Sequence, residues 1–303
     1  MQVVRSWHDL PDGLRGTTVA LGNFDGVHLG HAHVLRAAHA ARPGAPLAVL
    51  TFEPHPRELF RPDDPPFRLT LPDERAAALG VMILFEIPFN PGFSTLTARQ
   101  FVHDVLSAGV GAAHLTCGAD FAFGYRRGGD AAYLAAQAEQ LGIGLTIVPK
   151  LVDAQGPISS TRIRRLLQDG YPDRAAADLG RPWTVRGTVA HGDKRGRTIG
   201  FPTANVPLGR HLEPARGVYA VRVRLPDGTV VPGVANIGRR PTVSDSTESR
   251  MEAHLFDWSG DLYGQDVAVA LLAFLRAERK FTGLDELKAQ IAQDGRRARE
   301  MLA

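Results

Sequence analysis

From residue 17 to about residue 150, short apolar runs alternate with helical patterns, and this alternation restricts the fold more than any other property of the chain. "TTVALG" (17–22), "LAVLTF" (47–52), "VMILFEI" (81–87), "AHLTC" (113–117) and "IGLTIV" (143–148) read as buried strands. Between them "HAHVLRAAHAA", "DERAAAL", "TARQFVHDVLSA" and "GDAAYLAAQAEQL" read as helices. Strand–helix alternation at this spacing implies a parallel sheet with crossover helices. Ligands on such sheets bind beyond the carboxyl ends of the strands. After about residue 182 the pattern changes. "WTVRGTVA", "GVYAVRVRL", "TVVPGVANI", "RMEAHLF" and "QDVAVALLAFL" are strand-like runs joined by Gly- and Pro-containing turns, which suggests an antiparallel barrel or a sandwich. "LDELKAQIAQDGRRAREML" reads as a closing helix. The seam falls near residues 168 to 183, giving an α/β domain over 1–182 and a β domain over 183–303.

Composition narrows the function classes. A chain of 303 residues with 44% hydrophobic and 22% charged residues can bury a core in each of two domains. The one cysteine, Cys117, excludes an intramolecular disulfide and disfavours a Cys-based zinc site. No apolar run approaches the roughly 20 residues of a membrane span, and "MQVVRSWHDLPDG" has no apolar h-region. A cytoplasmic protein without a membrane partner is therefore expected. Net charge is +3, and no like-charge block exceeds "KRGR" or "GRRAR". A nucleic-acid binder usually carries a basic stripe, so small anionic ligands suit this balance better than nucleic acid does.

The stretch "LGNFDGVHLGHAHVL" (21–35) places His28 and His31 directly after a glycine-rich turn. The first strand ends before it and a helix begins close to His28. Early helical N–H groups lack intrahelical partners, and the dipole is positive at that end. Residues three apart share a helix face, so both imidazoles can face a ligand above the strand end. Gly22, Gly26 and Gly30 allow close approach. Imidazole donors beside such N–H groups make an anion site, with phosphate the obvious ligand. A structural histidine pair remains the alternative. The spacing lacks the H-E-x-x-H zinc pattern, and the glycines match neither the P-loop nor G-x-G-x-x-G.

"GNFDGVHLGH" resembles the signature of the HxGH nucleotidyltransferases, and the chain as a whole resembles the bacterial bifunctional riboflavin kinase/FMN adenylyltransferase family. Further motifs arrive in that family's order: "TFEPHP" (51–56), "GADFAFG" (118–124), "ISSTRIR" (158–164), "GRTIGFPTAN" (196–205), "GVYAV" (217–221), "VANIGRRPTV" (234–243), "EAHLFD" (252–257), "DLYGQ" (261–265) and "FLRAERKF" (274–281). The resemblance implies a Rossmann-like nucleotidyltransferase domain followed by an antiparallel β-barrel with a C-terminal helix. It implies ATP, riboflavin and FMN as small-molecule partners and Mg²⁺ as the metal.

For adenylyl transfer, the resemblance makes His28 and His31 catalytic donors to phosphate. It assigns Gly22, Asn23, Phe24, Asp120, Ser160, Thr161 and Arg164 to the nucleotide. Ser159, Ser160 or Thr161 would cap the helix "RIRRLLQ" and Arg164 would grip ATP phosphates. His55 either contacts flavin or stiffens its loop; Phe121 and Phe123 either support flavin or pack. Where many relatives carry a lysine after "FG", this chain has Tyr125, Arg126 and Arg127.

For phosphoryl transfer, the resemblance assigns Gly196, Arg197, Gly200 and Pro202 to a loop over the ATP phosphates. It assigns Thr203 and Asn205 to Mg²⁺, whose preference for oxygen ligands shared with phosphates and water suits their neutral oxygens. Glu252 is the general base the resemblance implies. In a strand it shares a face with His254 and opposes Met251 and Ala253. Arg276, alternating with Glu278 and Lys280, either binds flavin or lines the barrel surface. Three other readings stay open: a nucleotidyltransferase for another acceptor with a non-catalytic barrel, a single-strand nucleic-acid barrel, and a flavin-dependent oxidoreductase.

Overall fold

The computed structural model describes residues 1–191, 201–240 and 248–303. Two compact units emerge: Met1–Pro65 with Thr70–Ser159, and Pro66–Leu69 with Ser160–Ala303.

The first unit is built on six parallel strands: β1 (Gln2–Val4), β2 (Thr18–Leu21), β3 (Leu47–Glu53), β4 (Ile83–Pro88), β5 (His114–Gly118) and β8 (Gly144–Val148). Between them β6 (Ala122–Phe123) pairs with β7 (Gly129–Asp130), and β9 (Val152–Asp153) with β10 (Gly156–Pro157). The sheet order is β1-β4-β3-β2-β5-β8. The chain builds outward from β2 through β3 to β4, then returns to β2's other side with β5. The sheet therefore reverses direction between β2 and β5, and open α/β sheets bind ligands beyond the carboxyl ends of their strands at such a reversal.

Period-two burial on both faces explains the apolar strands. Val19, Leu21, Leu50, Phe85 and Leu115 pack with Phe101, Val102, Val105 and Leu134 on one face. Ala20, Val49 and Leu84 pack with Ala38 and Leu79 on the other. Helix Leu29–Ala41 thus covers the second face, while Phe101–Gly109 (wound in the wider π form) and Ala131–Gln140 cover the first. The edge strand β1 was not legible in the sequence. It is three residues long and lacks the apolar alternation of the others.

An ion cluster is buried in this unit. Arg75 is fully buried, 2.9 Å from Glu86 and 3.2 Å from Glu53, and it donates to the Phe52 carbonyl at 3.4 Å. Arg5 reaches Glu86 from outside at 3.1 Å. The guanidinium ties helix Pro72–Leu79 to the ends of β3 and β4. Removing one member of such a cluster strands the others in low dielectric. Arg75→Ala is therefore expected to destabilise this unit by about 3–5 kcal/mol, visible as a lower urea midpoint by circular dichroism.

The second unit resolves the barrel-or-sandwich alternative as a barrel. Its strands are β11 (Trp183–Thr188), β12 (Ala204–Pro207), β13 (Gly217–Arg224), β14 (Val230–Arg240), β15 (Glu248–Leu255) and β16 (Asp266–Ala277). All pairs are antiparallel, in the order β11-β16-β13-β14-β15-β12. A bridge between Ala190 and Asn205 draws the two end strands together. Trp183, Val185, Val206, Tyr219, Val221, Ala235, Ile237, Met251, Val269 and Leu271 fill the interior. Helices Ser160–Gln168 and Pro172–Leu179 add Ile163, Leu166, Leu167, Ala175 and Leu179 to the same core.

Pro66–Leu69 belongs to this unit as a short strap. Leu69 is buried in the core, its carbonyl accepts from Trp183 Nε1 at 2.9 Å, and Arg68's carbonyl accepts from the Leu212 N–H at 2.8 Å. Helix Leu284–Leu302 closes the unit by packing Ala298 on Val218, Ala220, Val234, Phe256 and Leu275. One expectation needs correction. Strand β16 ends at Ala277, so of Arg276, Glu278 and Lys280 only Arg276 lies in the strand.

Candidate active sites

In the first unit three motifs leave the same edge of three adjacent strands. "GNFDGVHLGH" follows β2, "TFEPHP" completes β3, and "GADFAFG" follows β5; Leu21 is in register with both Leu50 and Cys117. The turn after β2 is unusual in its backbone. Phe24, Gly26 and Val27 have φ of 51°, 88° and 41°. Left-handed geometry costs non-glycine residues on the order of 1–3 kcal/mol each and persists only where the surroundings enforce it. Three contacts do so here. Phe24 is buried in the apolar cluster. Buried Asp25 accepts the Thr70 N–H at 3.0 Å. Thr70 Oγ1 accepts from the Gly26 N–H at 3.0 Å.

That turn delivers His28 to the N-cap of helix Leu29–Ala41. His28 Nδ1 accepts from the His31 N–H, and His31 Nδ1 accepts from the His28 N–H, both at 3.3 Å. The two rings stack with centroids 3.6 Å apart. Because each Nδ1 is an acceptor, each imidazole carries its proton on Nε2. Both therefore direct their N–H donors away from the backbone. An imidazolium would surrender one of the two capping bonds. The glycine between them is also explained: a Cβ on Gly30 would lie 3.0 Å from the His28 ring and 3.2 Å from the Ile158 carbonyl. Ile158 opens "ISSTRIR", so the chain entering that motif rests on the HxGH helix start.

Asn23 is exposed in the turn, with its carbonyl accepting from Thr51 Oγ1 at 3.1 Å. A Cβ on Gly22 would meet the Phe24 ring at 3.1 Å. Asp120 stands at the end of β5, 3.0 Å from Lys150 Nζ. Behind it, burial and then the Asp120 charge push the Cys117 thiol up to about 11, so it is an inert core residue. His55 caps helix Pro56–Phe60, its Nδ1 accepting from the Arg57 N–H at 3.1 Å. Phe123 is buried beside Phe101 and Tyr133; Phe121 stacks on it and is partly exposed.

Ser160 opens the helix Ser160–Gln168, which groups with the second unit, and Thr161 follows it. Arg164 donates from Nε to the Phe67 carbonyl at 2.8 Å and lies 5.2 Å over the Phe67 ring. Arg162 pairs with buried Asp178 at 2.8 Å, which ties this helix to Pro172–Leu179.

In the barrel unit, strand register assembles the second site. Asn205 on β12 lies opposite Glu252 on β15. Met251 and Ala253 are fully buried in the barrel interior, so Glu252, His254 and Asn205 occupy the other face, as alternation predicts. Asn205 is itself buried. Thr203 lies just before β12 and is half-buried, whereas Pro202 is exposed. His254 Nδ1–H donates to the Pro202 carbonyl at 2.8 Å, and its ring meets Phe201 edge-on. Sequence reasoning placed His254 on this face without seeing that it tethers "PTAN".

Asn236 on β14 lies opposite Glu252. Its only sequence signal was membership of "VANIGRRPTV". Arg276 donates to Asp294 on the closing helix through Nε at 3.0 Å and Nη2 at 2.8 Å. That guanidinium holds the helix to β16. Gly196, Arg197 and Gly200 lie outside the described residues. Among the described residues no group of three His, Cys, Asp or Glu forms a metal cage. The neutral oxygens of Thr203 and Asn205 fit a hard cation that completes its shell with phosphates and water.

No helix among the described residues is long and apolar enough to cross a membrane. Residues 11–162 match the family model described as FAD synthetase, and residues 179–302 the model described as riboflavin kinase. The bifunctional riboflavin kinase/FMN adenylyltransferase of Escherichia coli K12 is 42% identical over 99% of this chain and 97% of its own. The Bacillus subtilis protein of the same description is 38% identical over 98% and 96%. A solved Streptococcus pneumoniae structure, described as a macrolide-efflux protein, superposes with TM-score 0.87 at 34% identity over 97% of this chain and 96% of that one. Motifs, architecture and near full-length identity agree, and the chain belongs to the bifunctional riboflavin kinase/FMN adenylyltransferase family.

Proposed function

We propose that this protein phosphorylates riboflavin with ATP in its barrel unit and adenylylates FMN with a second ATP on its parallel sheet. The adenylyltransferase domain is assigned to residues 1–182 and the kinase domain to 183–303. The observation that carries the reading is the pair of chemically distinct polar sets: stacked imidazoles at a helix start, and a carboxylate opposite a buried carboxamide on a barrel. The first set suits charge stabilisation and the second suits proton removal. Use of ATP as the shared co-substrate supports a cytoplasmic location for both reactions.

In adenylyl transfer an FMN phosphate oxygen attacks the α-phosphorus and pyrophosphate leaves. No proton need be removed from the nucleophile. Catalysis is then alignment plus donors aimed at oxygens that gain charge. The Nε2–H groups of His28 and His31 serve there. Gly22, Asn23, Phe24 and Asp120 border the nucleotide, with Ser160, Thr161 and Arg164 on its phosphates. His55 and Phe121 face the flavin.

In phosphoryl transfer the riboflavin 5′-hydroxyl attacks the γ-phosphorus, ADP leaves, and Glu252 takes the hydroxyl proton. Mg²⁺, when bound, neutralises phosphate charge; Thr203 and Asn205 would hold it. His254 fixes the chain that carries Thr203, through the Pro202 carbonyl.

The test is incubation with riboflavin, ATP and Mg²⁺ followed by chromatography. FMN should appear first and FAD second, and excess chelator should abolish FMN formation. Absence of both products would overturn the proposal. FAD from supplied FMN without any FMN from riboflavin would instead favour a nucleotidyltransferase with a non-catalytic barrel.

A further inference from the structure

The carboxylate of Glu252 has a neighbour on each side. Asn205 lies opposite it on β12, and Asn236 lies opposite it on β14. Three adjacent strands thus present carboxamide, carboxylate and carboxamide in one row. Directly opposed residues on a sheet bring their Cβ atoms to about 4.5–5.5 Å, within reach of an amide-to-carboxylate hydrogen bond. Asn236 is half-buried, while Ala235 and Ile237 on either side of it face the barrel interior. Its side chain therefore stands on the Glu252 face.

A second observation concerns Gly238, two residues further along β14. A Cβ there would collide with Glu278 Oε1 and lie 3.4 Å from Asn236 Nδ2. Glu278, just past the end of β16, thus folds its carboxylate across the strand at a spot that only glycine leaves open. The Asn236 amide edge is turned toward the same spot. A carboxamide has two N–H donors and one carbonyl acceptor, enough to engage Glu278 on one side and Glu252 on the other. Arg250 lies opposite Gly238 on β15 and adds a positive charge to the edge of this group.

Proton removal depends on the carboxylate facing the hydroxyl at the moment of attack, and a misplacement of about 1 Å can cost on the order of 100-fold. Resting on the reading of Glu252 as the base, we propose that Asn236 is a positioning residue for phosphoryl transfer. Its carboxamide, steadied by Glu278 across the bare Gly238, orients the Glu252 carboxylate toward the riboflavin hydroxyl. Asn236 itself neither accepts the proton nor touches phosphate.

The experiment compares Asn236→Asp, which keeps the shape and loses the donor, and Asn236→Ala, with Glu252→Gln measured alongside. Both activities are assayed on the full chain, with thermal unfolding to confirm folding. Each Asn236 variant should lower kcat for FMN formation by about 10- to 100-fold. KM for riboflavin and for ATP should be unchanged, and so should FAD formation from supplied FMN. Should the aspartate variant fail to fold, the alanine variant decides. Wild-type kcat, a loss carried in KM, or a parallel loss of FAD formation would each overturn the positioning role. If Glu252→Gln remains active, it is the base assignment that fails, and the two failures are thereby told apart.

Discussion

Glu252→Gln should lower FMN formation by about 10²- to 10⁴-fold, the range lost with a positioned general base, while FAD formation from supplied FMN stays at the wild-type level. Glutamine keeps the volume and a hydrogen-bonding edge opposite Asn205 and Asn236, but it cannot accept the hydroxyl proton. The loss should therefore fall on kcat, with riboflavin affinity preserved. The second activity is an internal control within one polypeptide. Misfolding of the barrel unit would show as a lowered unfolding midpoint, and a glutamine of matched shape on this half-buried face gives no cause for one. Retention of kinase activity would remove Glu252 from the mechanism.

His28→Ala should have the converse effect, with FAD formation falling by about 10²- to 10³-fold, as for loss of one donor to a developing anion, and FMN formation kept. Alanine removes two things at once. It deletes the Nε2–H donor, and it deletes the Nδ1 that caps the His31 N–H. The cap alone is worth about 1 kcal/mol of helix stability. His28→Asn separates the two roles, since an asparagine carboxamide caps well but cannot place a donor where Nε2 stands. That variant should unfold like wild type and still be slow. If the asparagine variant recovers full activity, His28 serves only to start the helix. If either Glu252→Gln or His28→Ala silences both reactions in a folded protein, the assignment of two separate sites is wrong.

The parts of the fold legible beforehand were those governed by local rules. Alternation along "TTVALG" or "LAVLTF" reflects strands buried on both faces, and the five runs lie within a residue or two of the observed strands β2, β3, β4, β5 and β8. The histidine pair was legible because residues three apart on a helix start must share a face. The facing of Glu252 away from Met251 and Ala253 followed from period two alone. What local rules missed had one thing in common: partners distant in sequence. Arg75 looks like a solvent-facing helix charge until Glu53 and Glu86 are seen beside it. Arg276 was open to a flavin role, and its guanidinium proves to hold Asp294, 18 positions on. Leu69 sits in "PFRLT", with nothing local to show that it joins the core of the barrel unit.

Taken alone, the amino-acid order determined the long strands of both units, the helix start at His28, and which residue types stand at the end of β2 and along β15. Those are properties of hydrophobic periodicity, turn chemistry and helix capping, all of which act within a few residues. Tertiary structure alone decided that the second unit closes as a barrel and that the sheet reverses between β2 and β5. It also decided that Glu252 stands between two carboxamides, and that Gly30 is bare because Ile158 lies against it. Strand order and register minimise free energy over the whole unit, through contacts between residues tens of positions apart, and no local pattern encodes which strand becomes the neighbour of which.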